Sequence, residues 1–246
     1  MTDAGSRGSG TLSGSVLKVI AIIAMFIDHL GACVFTHRIW LRWIGRLTFP
    51  IMAFFVYEGF KHTRDVKRYA LRLGLFALVS EIPFDLAHAG RVVDWDMQNI
   101  GFTLLLGLGA IVFADRGGLW HFASLGCLLL GDLMRVDYGT LGVFTIFIFY
   151  LFRQMRLSPA CAVGLSTLLF TMGEWPILLP YINGSDIATY RFIPPQTFAL
   201  FSTPLLLLYN GKRGNAPGWL FYVFYPGHLL FLYFFGPAVL AAFPNF

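Results

Sequence analysis

Eight ionisable side chains interrupt the apolar runs of this 246-residue chain: Asp28, His29, Arg46, Glu58, Glu81, Asp85, Asp132 and His228. In lipid each costs a few kcal/mol, so such residues are expected to face a protein interior and to serve a function. Lys18 and His29 are eleven residues apart, which on an α-helix leaves them about 20° from alignment. Lys18, Ile22, Met25 and His29 therefore predict one stripe. It carries a cation at one end and a titratable base roughly 16 Å further along, near the middle of a bilayer. That pairing suits a ligand with phosphates at one end and a reactive group on a long arm, and coenzyme A is such a ligand. A snorkelling lysine and a hydrogen-bonded structural histidine satisfy the same spacing.

An imidazole that acts as a base needs an orienting partner. Asp28 is adjacent to His29, and neighbouring helical residues diverge by about 100°, so the partner is expected from another helix. Counting from helix entries, Glu81 falls roughly 13–20 Å deep and His228 roughly 14 Å deep, the level expected for His29. Two histidines and two acids at one depth would make a water-accessible acid/base site. Glu81 and Asp85 also fit an i, i+4 polar face around Pro83 that closes a packing network. His228, two residues after Pro226, also fits the role of satisfying backbone groups freed by that proline. Arg46, Asp85, Asn99 and Thr103 are candidates to line an acceptor vestibule at the opposite end, and Arg46 fits equally an ion pair made for insertion. Arg64, Lys67 and Arg68, beside His62, form a basic loop suited to anionic headgroups or to the phosphates of a nucleotide-bearing cofactor. Glu58, one turn from the Lys61–Arg64 cluster, reads as a local ion-pair partner there.

The elements that must position these groups are helices crossing a membrane. The chain is 57% hydrophobic, 17% aromatic and only 13% charged, with 26 Phe and a net charge of +5; mean hydropathy is +0.68. Soluble domains carry about 25% charged residues, so a soluble enzyme and a disordered regulator are both excluded, leaving an all-α, polytopic helix bundle. Apolar runs recur at 16–35, 43–60, 69–88, 99–114, 119–134, 138–153, 157–179, 193–210 and 219–242. These predict about nine transmembrane helices, with eight to ten compatible. Residues 1–15 read as a flexible tail and 16–246 as one domain without internal repeat. Gly101, Gly107 and Gly109 are expected to let helices approach closely. With the N-terminus inside, 12 of the 18 Lys and Arg fall on the inner side and 6, including Arg191, on the outer. The positive-inside rule therefore predicts a cytoplasmic N-terminus, the topology signal of an inner-membrane protein. The outer loops would carry Asp94, Asp96, Asp137, Glu174 and Asp186. The basic residues are too dispersed for a nucleic-acid groove. Cys33, Cys127 and Cys161 lack metal or disulfide spacing, so no metal is expected.

The stretches LKVIAIIAMFIDHLG, WIGRLTFPIMAFFVYEGFKHTRDVKRYALRLGLFALVSEIPFDLA, QNIGFTLLLGLGA and FYPGHLL resemble the TraX family, most densely over 17–109. The resemblance implies a bacterial inner-membrane protein connected with N-terminal acetylation of the pilin of conjugative pili. It also implies kinship with larger transmembrane acyltransferases, which carry a basic residue, ten others and then a histidine in their first helix; Lys18 and His29 stand in that register. Those enzymes commonly have about ten core helices. The expected function is thus transfer of an acetyl group from cytoplasmic acetyl-CoA to an amine or hydroxyl acceptor, a pilin N-terminus among the candidates. Donor and acceptor would enter from opposite faces. Lys18, Arg64, Lys67 and Arg68 would hold phosphates, His29 would be the base, Glu81 or Asp28 its orienting partner, and His228 an oxyanion donor. A proton-coupled transporter and a non-catalytic pilus-assembly factor are the alternatives.

Overall fold

The structure is a computed structural model that describes residues 10–182 and 194–243; the side chains of 174–182 are not described. The residues expected in topological roles at Arg7, Asp186 and Arg191, and the side chain of Glu174, lie outside it. Among the described residues there is no strand. The helices are α1 (Gly14–Cys33), α2 (Ile39–Gly45), α3 (Thr48–His62), α4 (Val66–Ala89), α5 (Ile100–Arg116), α6 (Trp120–Leu133), α7 (Gly139–Gln154), α8 (Pro159–Ile182), a 3-10 helix (Pro195–Phe201), α9 (Ser202–Leu207) and α10 (Trp219–Ala242). Among the described residues three segments are long and apolar enough to cross a membrane: Gly14–Cys33, Ile39–His62 and Trp219–Ala242.

Caps and breakers explain the boundaries. Ser13 accepts from the Val16 amide to start α1, Asp65 from Arg68 to start α4, and Asn99 from Gly101 to start α5. These satisfy amides that have no partner within the helix. Gly90, at φ 67°, ends α4 in the left-handed region, where glycine carries no steric cost. The second apolar run is broken at Arg46–Leu47 into α2 and α3. The run at 193–210 does not form the single helix expected. It gives a seven-residue 3-10 helix and the six-residue α9, because Pro194, Pro195 and Pro204 each remove an amide donor. The end of the expected flexible tail is tied down as well. Leu12 donates to Leu208 O, and the Gly14 and Ser15 amides to the carbonyls of Lys212 and Arg213, at 2.8–2.9 Å.

The core is a cluster of Leu17, Phe49, Ile51, Phe54, Leu108, Ile111, Ile146 and Phe149, from α1, α3, α5 and α7. Gly107 lies against Ile146 and Gly101 against Ala77, the close approaches expected of small residues. Outward faces are apolar: Leu75, Leu78 and Val79 on α4, Phe122, Leu129 and Leu133 on α6, and Phe234 and Phe235 on α10 are exposed. A bilayer is the solvent that suits such faces. α1 packs on α2, α3 and α10, and α10 also on α4. The α1, α4 and α10 trio carries the candidate site. Below, the near end is the side where α1 begins and the far end the side where it stops.

Candidate active site

The stripe on α1 keeps its face. Lys18 lines a large cavity at the near end, while Ile22, Met25 and His29 line a small chamber beyond it. His29 meets His228 of α10: Nδ1 and Nε2 lie 2.7 Å apart and the rings stack at 4.9 Å. His228 Nδ1 lies 2.9 Å from the carbonyl of Phe224, one turn back on its own helix. A carbonyl only accepts, so Nδ1 of His228 carries the proton and, in the neutral ring, Nε2 is the acceptor. That acceptor requires the proton of His29 on Nδ1, which leaves the Nε2 lone pair of His29 available as a base. The orientation that an acid often supplies is supplied here by a second histidine backed by a carbonyl.

The carboxylates do not hold His29, contrary to expectation. Asp28 is bound by two guanidiniums, Arg42 at 2.7 Å and Arg46 at 2.8 Å. The break between α2 and α3 brings both arginines over it, and Gly45 makes room, since a Cβ there would collide with the Asp28 side chain. Arg46 thus occupies its insertion ion pair, and it also donates to the Tyr138 hydroxyl at 3.1 Å. Glu81 is bonded to Asn99, through the Asn99 amide at 3.2 Å and more closely through its side chain. Asn99 donates in turn to Ala77 O at 2.8 Å. Asp85 accepts from the Asp94 amide at 2.8 Å, and Thr103 donates to Asp137 O at 2.5 Å. Asp85 and Asn99 therefore pin the turn after α4 and the start of α5, whereas Thr103 and Arg46 both bond the Asp137–Tyr138 turn. Equal residue counts from helix starts do not give equal levels here. His88, seven residues beyond Glu81 on α4, is what reaches His29, edge-on at 5.5 Å between ring centroids. His29 is accordingly one turn from the end of α1, beside the last turn of α4.

The near-end cavity has a volume of about 850 Å³, within the range of small-molecule sites. Lys18, Arg72 and Arg213 line it, with Tyr69, Trp219 and Tyr222 as aromatic walls and His62 and Glu58 at one side. Among the described residues none of these three cations is paired with a carboxylate. The Lys18 ammonium lies over the Phe55 ring at 4.7 Å and the Phe221 ring at 5.5 Å. Of the residues expected to hold phosphates, only Lys18 lines the cavity. Arg64, Lys67 and Arg68 do not, and Arg68 instead pairs with the cap residue Asp65 at 3.1 Å. Arg72, one turn further along α4, takes their place. Arg213 is placed by the strap whose carbonyls bind the start of α1. Glu58 lies 3.5 Å from His62, within the Lys61–Arg64 cluster, and accepts from Tyr209 at 3.4 Å, the local pairing expected.

Met52, Phe76, Leu104 and Phe221 line both the large cavity and the small one, so the cavity of the cations adjoins the chamber of His29 at an apolar neck. The chamber beyond is about 50 Å³, and Asp28, His29, Thr48, Asp137 and Tyr138 are among its walls. The sequence places Asp137 in an outer loop and Tyr138 at the start of an apolar run, yet both wall this chamber. The turn presenting them is strained, with φ of 53° at Arg135 and 65° at Tyr138, a cost that clusters at functional sites. Burial pushes the Asp137 carboxyl up to about 6, against the pull of the Arg46 guanidinium.

A family model described as TraX protein matches residues 13–235. The chain belongs to the TraX family. Its relatives include the probable fimbrial assembly protein FimC, serogroup H1, of Dichelobacter nodosus, which is 31% identical over 237 residues, covering 88% of this chain and 92% of that protein. The uncharacterized protein RP591 of Rickettsia prowazekii (strain Madrid E) is 22% identical over 202 residues, covering 78% and 77%. No solved structure matches. The match of this TraX chain to the family spans every residue of the cavity, the neck and the histidine pair.

Proposed function

We propose that this TraX protein is an integral membrane acetyltransferase of the bacterial inner membrane. In this reading about nine segments cross the bilayer, the N-terminus and the near end are cytoplasmic, and acetyl-CoA enters the near-end cavity. The observation that carries the reading is that the cavity of Lys18, Arg72 and Arg213 adjoins, at an apolar neck, the chamber of His29, which is bonded to His228. The cations bind phosphates, Tyr69, Tyr222 and Trp219 suit an adenine ring, and the neck suits a narrow arm with a small acyl group at its tip. His29 Nε2 removes the proton from the amine or hydroxyl of the acceptor as the new bond to the thioester carbon forms. The carbon–sulfur bond then breaks and the proton passes to the departing thiolate. General-base assistance of this kind contributes typically 10²–10⁴-fold. The name of the Dichelobacter relative, a fimbrial assembly protein, supports a pilus subunit as acceptor. The test is mass spectrometry of a peptide with a free N-terminus after incubation with purified protein and acetyl-CoA. A gain of one acetyl group that depends on His29 supports the reading.

The same relative's name supports a second reading, a pilus-assembly factor without catalysis. Calorimetry with coenzyme A discriminates the two, since an assembly factor without a donor site gives no saturable binding.

A further inference from the structure

His88 takes no part in the transfer step just described. It stands in the last turn of α4, two residues before the cap Gly90, and it is exposed, whereas His228 is buried and His29 is partly so. Its ring meets His29 edge-on at 5.5 Å, within the span of one bridging water. Its Nδ1 lies 3.1 Å from the carbonyl of Phe84, so that nitrogen carries the proton and Nε2 keeps a lone pair. Three imidazoles on α1, α4 and α10 therefore meet, and the one at the edge has its proton acceptor free. Among the described residues the charged groups facing them are Asp28, Asp137, Arg42 and Arg46. Asp28 is bonded to both arginines and Asp137, in the same chamber wall, is drawn toward Arg46, so among the described residues neither carboxylate pairs with His29. A proton taken there is poorly stabilised and must be passed on.

Resting on the transferase reading, we propose that His88 is the proton outlet of His29, passing to solvent at the far end the proton that an amine acceptor sheds. The balance requires such an outlet. An aliphatic amine arrives near neutral pH as R–NH3+, and its nitrogen ends in the amide with one hydrogen. Of the two protons lost, one ends on the thiol of coenzyme A and the other has to leave the site. His88 Nε2 takes that proton from His29 Nε2–H, and the His88 imidazolium releases it to water. His88 acts through His29 and does not touch the reacting atoms.

The test uses the purified full chain, acetyl-CoA and a synthetic peptide with a free N-terminal amine, in weak buffer, reading amide formation. His88→Ala is expected to lower turnover about tenfold or more, a share of the general-base contribution, with KM for acetyl-CoA unchanged. Added imidazole, a mobile proton carrier, is expected to restore the rate. His88→Gln keeps a donor for the Phe84 carbonyl but carries no titratable proton, so it should lose turnover equally and be restored equally. Wild-type turnover in either variant, or a loss that imidazole does not restore, overturns the outlet while leaving the transferase reading intact. A wild-type protein that acetylates no amine overturns that reading, and the outlet with it.

Discussion

Asp28→Asn tests whether the Asp28–Arg46 pair is structural. The Arg46 and Asp28 side chains are 11% and 12% exposed, with nitrogen and oxygen 2.8 Å apart. Losing the carboxylate strands a buried guanidinium, and breaking a buried pair by removing one partner costs about 3–5 kcal/mol. The Arg42 partner is 31% exposed, so it adds less than about 1 kcal/mol. Asparagine keeps one carbonyl acceptor, which puts the expected loss near the lower figure, about 3 kcal/mol. For a chain of this size each kcal/mol lowers Tm by about 2–4 °C, so a fall of about 10 °C is expected. Thermal unfolding of detergent-purified protein, followed by far-ultraviolet circular dichroism, measures it. The double variant Asp28→Asn, Arg46→Met removes the stranded charge, and it should be more stable than Asp28→Asn alone and keep acetyl transfer. A Tm fall under about 3 °C, or a double variant less stable than the single one, refutes the assignment.

His29→Ala should lower acetyl transfer at least about 10²-fold while leaving coenzyme A binding in place; more than a tenth of wild-type turnover would contradict the base role. Lys18→Ala should raise KM for acetyl-CoA more than it lowers saturated turnover, because a cation at the phosphate end binds ground and transition states alike. An unchanged KM would leave Lys18 as an anchor. Asp137→Asn should raise Tm more at pH 7.5 than at pH 4.5. The Asp137 carboxyl is lifted to about 6 in the folded chain from an ordinary 3.8, so the stability its protonated form contributes is lost as pH rises through 6. An equal or larger gain at pH 4.5 would show that Asp137 is not held this way.

The helices were largely legible because apolar runs and their breakers are local. The stripe from Lys18 to His29 was legible too, since angles within one rigid helix follow from counting. Meetings between helices were less so. His228 was found by depth, whereas the same counting chose Glu81 where His88 is the residue in contact, because offset and tilt between α1 and α4 are tertiary properties. Arg213 carries no periodic signal at all; its position depends on backbone bonds from Gly14 and Ser15 to the strap at Lys212–Arg213. Asp28 and Arg46 were both flagged as residues needing an explanation, but only the break between α2 and α3 makes them partners. The unbroken helix expected over 193–210 failed through proline spacing that apolar content conceals.

The contrast in size between the two cavities also bears on a competing reaction. A thioester near an activated base is open to attack by water as well as by the intended acceptor, and the loser of that competition is the cell's acyl pool. A chamber of about 50 Å³ holds only some three to five waters at about 10–15 Å³ each. The neck of Met52, Phe76, Leu104 and Phe221 offers water no polar atoms beyond the backbone. An acetyl group and an acceptor nitrogen together would displace most of that water. Wasteful hydrolysis would then be limited by crowding rather than by chemistry, and enlarging the neck, as in Phe76→Ala, would let it rise relative to transfer.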